Sequence, residues 1–129
     1  VEYSFTDLLG NPKSIIKPLY FFEKDIQHGI PFDGSSVFGC SNISESDMLL
    51  KPDLDAVTHL PWTNSPTRTA RVTCDIYKDA HEPHAGDPRY ILKQVLNEAA
   101  ALGYDFMVGP ELEFFIFKDE DGKRVPYDT

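Results

Sequence analysis

The sequence predicts an α+β protein: a mixed sheet crossed by one helix in the order ββαβββ, then the start of a second sheet-and-helix domain. Three observations carry this. The chain opens on period-two apolar alternation, an amphipathic helical stretch follows, and three later apolar runs are bounded by prolines. With 129 residues, 41% of them apolar and 12% aromatic, there is enough to bury for a folded core.

Val1, Tyr3 and Phe5 alternate with Glu2, Ser4 and Thr6, the pattern of a strand with one buried face. Asp7 to Asn11 supplies turn chemistry, and Lys13 to Lys17 returns as a second strand, closing a hairpin around Gly10-Asn11. Pro18 suits a first helical position, Leu19, Phe22 and Ile26 fall at helical spacing, and Gly29 is placed to end the helix. Pro31 to Ser46, rich in Gly and Ser, reads as a long loop. Met48 to Leu50, Ala56 to Leu60 and Arg71 to Tyr77 read as three strands, with Pro52, Pro61 and Pro66 at their bounds. One helix packed across such a sheet resembles a β-grasp domain, expected over residues 1–82.

Lys78 to Gly86, with Pro83 and Gly86, marks the boundary, and residues 83–129 read as the beginning of a second, truncated domain. Asp87 caps a helix opened by Pro88, with Leu92, Val95, Leu96 and Ala99 as one apolar stripe and Gly103 at its end. Met107 to Phe117 is almost continuously apolar apart from two glutamates, as in a strand buried on both faces. Such a strand needs sheet neighbours, so a second domain is expected to continue beyond this chain. The absence of Met at position 1 and the tailless Pro126-Tyr127-Asp128-Thr129 fit an excised piece, or one from which a leader was removed.

Charge and composition exclude several classes. Lys plus Arg number 12 against 21 Asp plus Glu, a net charge of −9 that repels nucleic-acid phosphates and anionic lipids. No apolar run approaches the roughly 20 residues needed to span a bilayer, and the N-terminus lacks the basic and apolar regions of a signal. A cytoplasmic location is expected. Cys40 and Cys74 lack the density of a disulfide scaffold and read as free thiols.

Glu111 and Glu113 are the sharpest chemical feature. Residues two apart on a strand point to one face, about 6–7 Å apart, so two carboxylates would share a cavity. Either a hard divalent cation neutralises them or they form structural salt bridges; spacing leaves both readings open. Phe32-Asp33-Gly34-Ser35-Ser36 displays a carboxylate and two hydroxyls on a Gly-containing loop. Alone, that segment reads as an ordinary turn, and it lacks the Gly spacing and Lys of a phosphate-binding loop.

Taken with Glu45-Ser46-Asp47-Met48 and Gly109-Pro110-Glu111-Leu112-Glu113-Phe114-Phe115, the order and spacing resemble glutamine synthetase of the bacterial and archaeal type I. The resemblance runs from Phe5-Thr6-Asp7-Leu8-Leu9-Gly10 through Cys74-Asp75-Ile76-Tyr77 and Gly86-Asp87-Pro88-Arg89 to Phe117. It implies a ligase joining ammonium to L-glutamate with ATP as co-substrate, through γ-glutamyl phosphate. It also implies two or more Mg²⁺ or Mn²⁺ ions per complete site. Glu113 matches a ligand of the metal nearer glutamate and Glu111 one nearer the ATP phosphates, the general arrangement of phosphoryl transfer. Asp33 matches the residue that reaches into the next subunit's site to bind ammonium and take its proton, and Ser36 the Ser beside it. Asp47 matches an acidic residue associated with closing the site. The implied partners are further copies of the subunit in a ring, a dodecamer of two hexamers; the isolated piece is expected to be inactive.

Cys40 stands where the family commonly has an aromatic, and Asn42 where the glutamine-inhibited branch commonly has Arg. Neither that stacking contact nor that feedback mode is therefore carried over. His28, His59, His81 and His84 match no site position; His81 and His84 read as a solvated pair, Trp62 as packing at a strand end, and Asp119-Glu120-Asp121 as a solvated turn. Two rivals remain: a γ-glutamyl ligase for a larger amine, and a non-catalytic β-grasp module for subunit contacts.

Overall fold

The computed structural model describes residues 1–40, 46–63 and 68–127. The expectations for Asn42, Glu45, Pro66 and the last two residues lie outside them. Strands β1 (Glu2–Thr6) and β2 (Pro12–Ile16) form the opening hairpin, with Glu2 opposite Ile16 and Thr6 opposite Pro12. A 3-10 turn, Leu19–Phe21, leads into α1 (Phe22–His28). Gly29 ends α1 at φ 76°, a conformation that costs glycine least, and its N–H donates to the Asp25 carbonyl.

Three strands follow: β3 (Ile30–Asp33), β4 (Asp47–His59) and β5 (Ala70–Tyr77). The sheet order is β2-β1-β5-β4-β3, with β1 parallel to β5 and the other pairs antiparallel. This is the expected ββαβββ order, but two of the three later strands differ from expectation. β3 lies partly where a loop was expected: it is a four-residue edge strand containing Pro31, and an edge tolerates a residue with no N–H to donate. The two expected strands at 48–50 and 56–60 are one strand, β4, whose register against β5 shifts between Pro52 and Val57. Asp53 accepts from the Asp55 N–H at 3.1 Å within that irregularity, so the chain bends without leaving the sheet.

Alternate residues of the strands meet in one core. Tyr3, Phe5, Ile30, Met48, Leu50, Val72, Cys74 and Ile76 are buried together, joined by Val37 and Cys40 from the segment after β3. Both cysteines are free. Burial pushes the Cys74 thiol up to about 12, so it packs as a small apolar group.

The face α1 turns inward is not the apolar stripe its spacing suggested. Leu19 is 71% exposed and Ile26 37%; Phe22 is half-buried, while Asp25 is buried. Tyr3 donates its hydroxyl to Asp25 Oδ2 at 2.9 Å, and the Lys17 ammonium pairs with Oδ1. Burial first, then the hydrogen bond to Asp25, holds the Tyr3 phenol well above its ordinary range, so it remains a donor. The carboxylate is thus paired on both oxygens, which is what permits its burial.

Helix α2 (Pro88–Ala101) begins at Asp87, which is 1% exposed and serves two N–H groups at once: Arg89 at 3.1 Å as the helix cap and Ile76 of β5 at 2.9 Å. Burial pushes this carboxyl up, against the pull of those N–H donors. In the first turn Arg89 pairs with Asp53 and, at 2.8 Å, with Asp75, while Lys93, one turn on, reaches Asp75 at 2.6 Å. This half-buried network ties α2 to the polar face of β4 and β5. Asp87→Ala removes both acceptors, and a destabilisation of about 2–3 kcal/mol is expected. Chemical denaturation would show it; a change below about 0.5 kcal/mol, the size of an ordinary surface substitution, would mean that neither bond contributes.

After α2, residues 104–116 form no regular element, so the expected strand over Met107 to Phe117 is absent. A strand takes its hydrogen bonds from a neighbour, and among the described residues 107–115 have no strand to pair with, while Ile116 accepts from the Tyr127 N–H at 2.9 Å and Phe117 opens the last hairpin. Its side chains, Met107 and Phe115 at 89% exposure among them, face outward, as does the stripe of Leu92, Val95 and Leu96 on α2. A hairpin of β6 (Phe117–Glu120) and β7 (Lys123–Pro126) follows, its turn at Asp121-Gly122, so of the expected turn Asp119-Glu120-Asp121 the first two residues belong to β6. Among the described residues, no helix is long and apolar enough to cross a membrane.

Trp62 is 70% exposed rather than packed, because it sits in the turn beyond β4 instead of on the strand. His84 is buried rather than solvated. Its N–H donates to the Ile76 carbonyl at 2.9 Å and draws it against the core, whereas His81 stays exposed.

Candidate functional site

The Asp-Gly-Ser-Ser segment lies where β3 ends and a 3-10 turn, Gly34–Ser36, begins. Asp33 is the last residue of β3 and caps that turn. Its Oδ1 accepts from the Ser35 N–H at 2.9 Å and from the Ser35 hydroxyl at 2.6 Å. The Ser36 hydroxyl donates to the Asp33 carbonyl at 2.7 Å, so what Ser36 presents outward is its acceptor lone pairs. All three side chains are exposed, while Gly34 is buried and its N–H donates to the Ser46 carbonyl at 2.7 Å.

Register adds a second carboxylate. Asp33 is the direct cross-strand partner of Asp47 on β4, so two residues fourteen apart in sequence share one face of the sheet end. Like charges placed opposite each other oppose strand pairing, and the pair concentrates negative potential at this edge. Asp33 and Ser36 also line a cavity of about 230 Å³ with Phe5, Lys13, Ser14, Ile15, Phe32 and Val37. Lys13 and Ser14 were not anticipated. The antiparallel register sets Lys13 opposite Phe5, and the Phe5 ring packs 5.1 Å from that of Phe32 beside Asp33, which brings the first hairpin to the loop.

Behind the turn the loop is locked. Gly39 has φ 83°, and a Cβ there would lie 2.1 Å from Leu8 Cδ1, so only glycine lets the loop lie against the first hairpin. The Gly39 carbonyl stands 3.3 Å from His84 Nε2, while His84 Nδ1 is buried with no hydrogen-bond partner among the described residues. Asp7 in the first turn accepts from Leu9 and Asn11 N–H groups at 3.0 and 2.8 Å. Burial raises its carboxyl, but those donors, the Asn11 side chain and the Lys13 charge outweigh it and hold Asp7 below the ordinary carboxylate range. Cys40, behind the loop, is buried; burial, then the Asp87 and Asp7 charges, push its thiol up, which disfavours a reactive thiolate.

Glu111 and Glu113 lie in the irregular, exposed segment after α2, and the cavity lined by Asp33 and Ser36 is lined by neither. Their oxygens suit Mg²⁺ or Mn²⁺. Among the described residues, no group of three or more His, Cys, Asp or Glu is gathered to hold a metal. With no strand there, the two carboxylates are not set toward one face, and the expected paired presentation of Glu111 and Glu113 is not seen among the described residues.

The architecture defines a class first: a β-grasp domain with an acidic, hydroxyl-bearing turn, joined through a capped helix to the head of a second unit. Family models then match both parts, "Glutamine synthetase, beta-Grasp domain" over residues 1–79 and "Glutamine synthetase, catalytic domain" over residues 85–128. The chain belongs to the glutamine synthetase family. It is 49% identical over 125 residues to a glutamine synthetase of Staphylococcus aureus, covering 95% of this chain and 28% of that protein. It is 42% identical over 137 residues to one of Methanococcus voltae, covering 99% of this chain and 31% of that protein. The chain thus spans under a third of the length of these relatives. Among solved structures, a GmaS complex with ADP superposes with TM-score 0.70 at 29% identity, over 78% of this chain and 23% of that one. The Plasmodium falciparum glutamine synthetase shares the fold, with TM-score 0.65 at 23% identity over 79% of this chain and 19% of that one.

Proposed function

We propose that this chain forms the N-terminal part of an ATP-dependent glutamate–ammonia ligase, with residues 1–82 supplying the ammonium-side loop and residues 83–129 the first metal-binding carboxylates. The observation that carries the reading is the Asp33 turn, with its carboxylate and the acceptor side of Ser36 facing one small cavity. Ammonium is a cation with N–H donors only. A carboxylate attracts it, Ser36 accepts from it, and the Asp33–Asp47 edge concentrates it, after which Asp33 takes the proton that frees the amine to attack. A bound divalent ion, held in part by Glu111 and Glu113, would neutralise the transferring phosphoryl group of ATP. The S. aureus relative's name and the ADP in the GmaS complex support the activity and the nucleotide. We place the protein in the cytoplasm as a ring of like subunits, a dodecamer of two hexamers, in which Asp33 completes the neighbour's site.

The full-length protein, assayed with glutamate, ATP and a panel of amines, is expected to prefer ammonium at least about tenfold over methylamine and polyamines, since each alkyl group replaces an N–H that the Asp33 carboxylate and the Ser36 hydroxyl could accept. A preference for a larger amine would overturn the substrate assignment, and no ATP-dependent amide formation with any amine would overturn the ligase.

A further inference from the structure

We infer that Ser35 is a positioning residue for ammonium capture: its hydroxyl fixes the Asp33 carboxylate so that one oxygen is occupied and the other is offered to the cation. The inference rests on the ammonium-side role proposed for Asp33. Both Ser35 donors converge on Oδ1, the N–H at 2.9 Å and the hydroxyl at 2.6 Å. An exposed Asp side chain at a strand end is otherwise free to rotate, and two bonds to one oxygen stop that rotation while leaving Oδ2 as the acceptor. Ser36 cannot do this work, because its hydroxyl is spent on the Asp33 carbonyl at 2.7 Å. The two adjacent serines therefore have separate tasks: Ser35 orients the carboxylate, and Ser36 fixes the backbone beneath it and faces the ligand as an acceptor. The turn would still form without the Ser35 hydroxyl, since the N–H bond to Asp33 and the Val37 N–H bond to the Gly34 carbonyl at 3.1 Å are both main-chain donors.

The test is steady-state kinetics on the full-length enzyme with ammonium, glutamate and ATP varied in turn. Ser35→Ala is expected to lower kcat/KM for ammonium about tenfold, the loss of one hydrogen bond to a charged group, with KM for glutamate and ATP within about twofold. Ser35→Thr, which keeps the hydroxyl, restores the wild-type value, and Ser35→Gly, which lacks it, repeats the alanine result. In an Asp33→Ala background, Ser35→Ala adds no further loss, because the group it positions is gone. If Asp33→Ala is impaired while Ser35→Ala keeps the wild-type kcat/KM for ammonium, or if the two losses add in full, Ser35 is not a positioning residue and the role of Asp33 stands. If Asp33→Ala itself is unimpaired, the ammonium-side reading falls and this inference with it.

Discussion

Replacing Glu113 by alanine in the full-length protein is expected to lower turnover at least about 100-fold, since even groups that only support a metal ligand commonly cost 10–100-fold when lost. Glu113 is exposed, in a stretch where Leu112, Phe114 and Phe115 are exposed as well. A structural salt bridge would need a cationic partner, and in this chain the nearest cation in sequence, Lys118, pairs with Glu120 at 2.8 Å. Raising Mg²⁺ or Mn²⁺ should recover part of the lost activity in Glu113→Asp, which keeps an oxygen ligand, and none in Glu113→Ala. Wild-type turnover in Glu113→Ala at ordinary metal concentration would remove Glu113 from the metal site.

Where the sequence was legible, one element's own pattern decided the outcome. The alternation of Tyr3 and Phe5 and of Val72, Cys74 and Ile76 is the buried face itself, and Asp87-Pro88 with Gly103 bounds α2 as capping chemistry dictates. Partners outside the element decided the rest. β3 was missed because the Gly- and Ser-rich stretch from Pro31 to Ser46 lacks an apolar pattern, whereas β3 is a short edge strand held by its register against β4. β4 was divided in two because Pro52 and the polar Asp53 and Asp55 resemble a break, although β5 runs alongside and holds both halves. Asp25 escaped notice because helical periodicity counts apolar residues, whereas its burial depends on Tyr3 and Lys17. Residues 107–117 carry the opposite lesson: an apolar run predicts a wish to be buried, but a strand exists only when a neighbour accepts its hydrogen bonds.

The site divides the same way. Asp33 and Ser36 were visible as a motif, and the chemistry of a carboxylate beside hydroxyls was readable from residue type. That Asp47 lies directly across from Asp33, that Lys13 and Ser14 join the cavity and that Ser35 holds the carboxylate all depend on register and side-chain direction. Spacing along the chain does not encode these.

Asp33→Asn is expected to lower turnover about 10²–10⁴-fold, the usual range for a lost proton acceptor, because the amide keeps the size of the side chain but neither attracts the cation nor takes its proton. Among the described residues Asp33 and Glu113 do not line one cavity, and Asp33 is exposed at the end of the edge strand β3. On the reading proposed above, the Asp33 loop serves a neighbouring subunit. The two lesions should therefore complement. Asp33→Asn subunits carry an intact Glu113, Glu113→Ala subunits carry an intact loop, and sites formed between unlike neighbours in the right order are whole. With random assembly at equal ratio in a closed ring, about one quarter of sites pair an intact loop with an intact Glu113. Co-expressed and co-purified through two different tags, mixed oligomers should regain about that fraction of wild-type activity, while either mutant alone stays at its floor. If Asp33 served the site of its own chain, every site would carry one lesion whatever the mixing, and mixed oligomers would be no more active than the mutants that compose them.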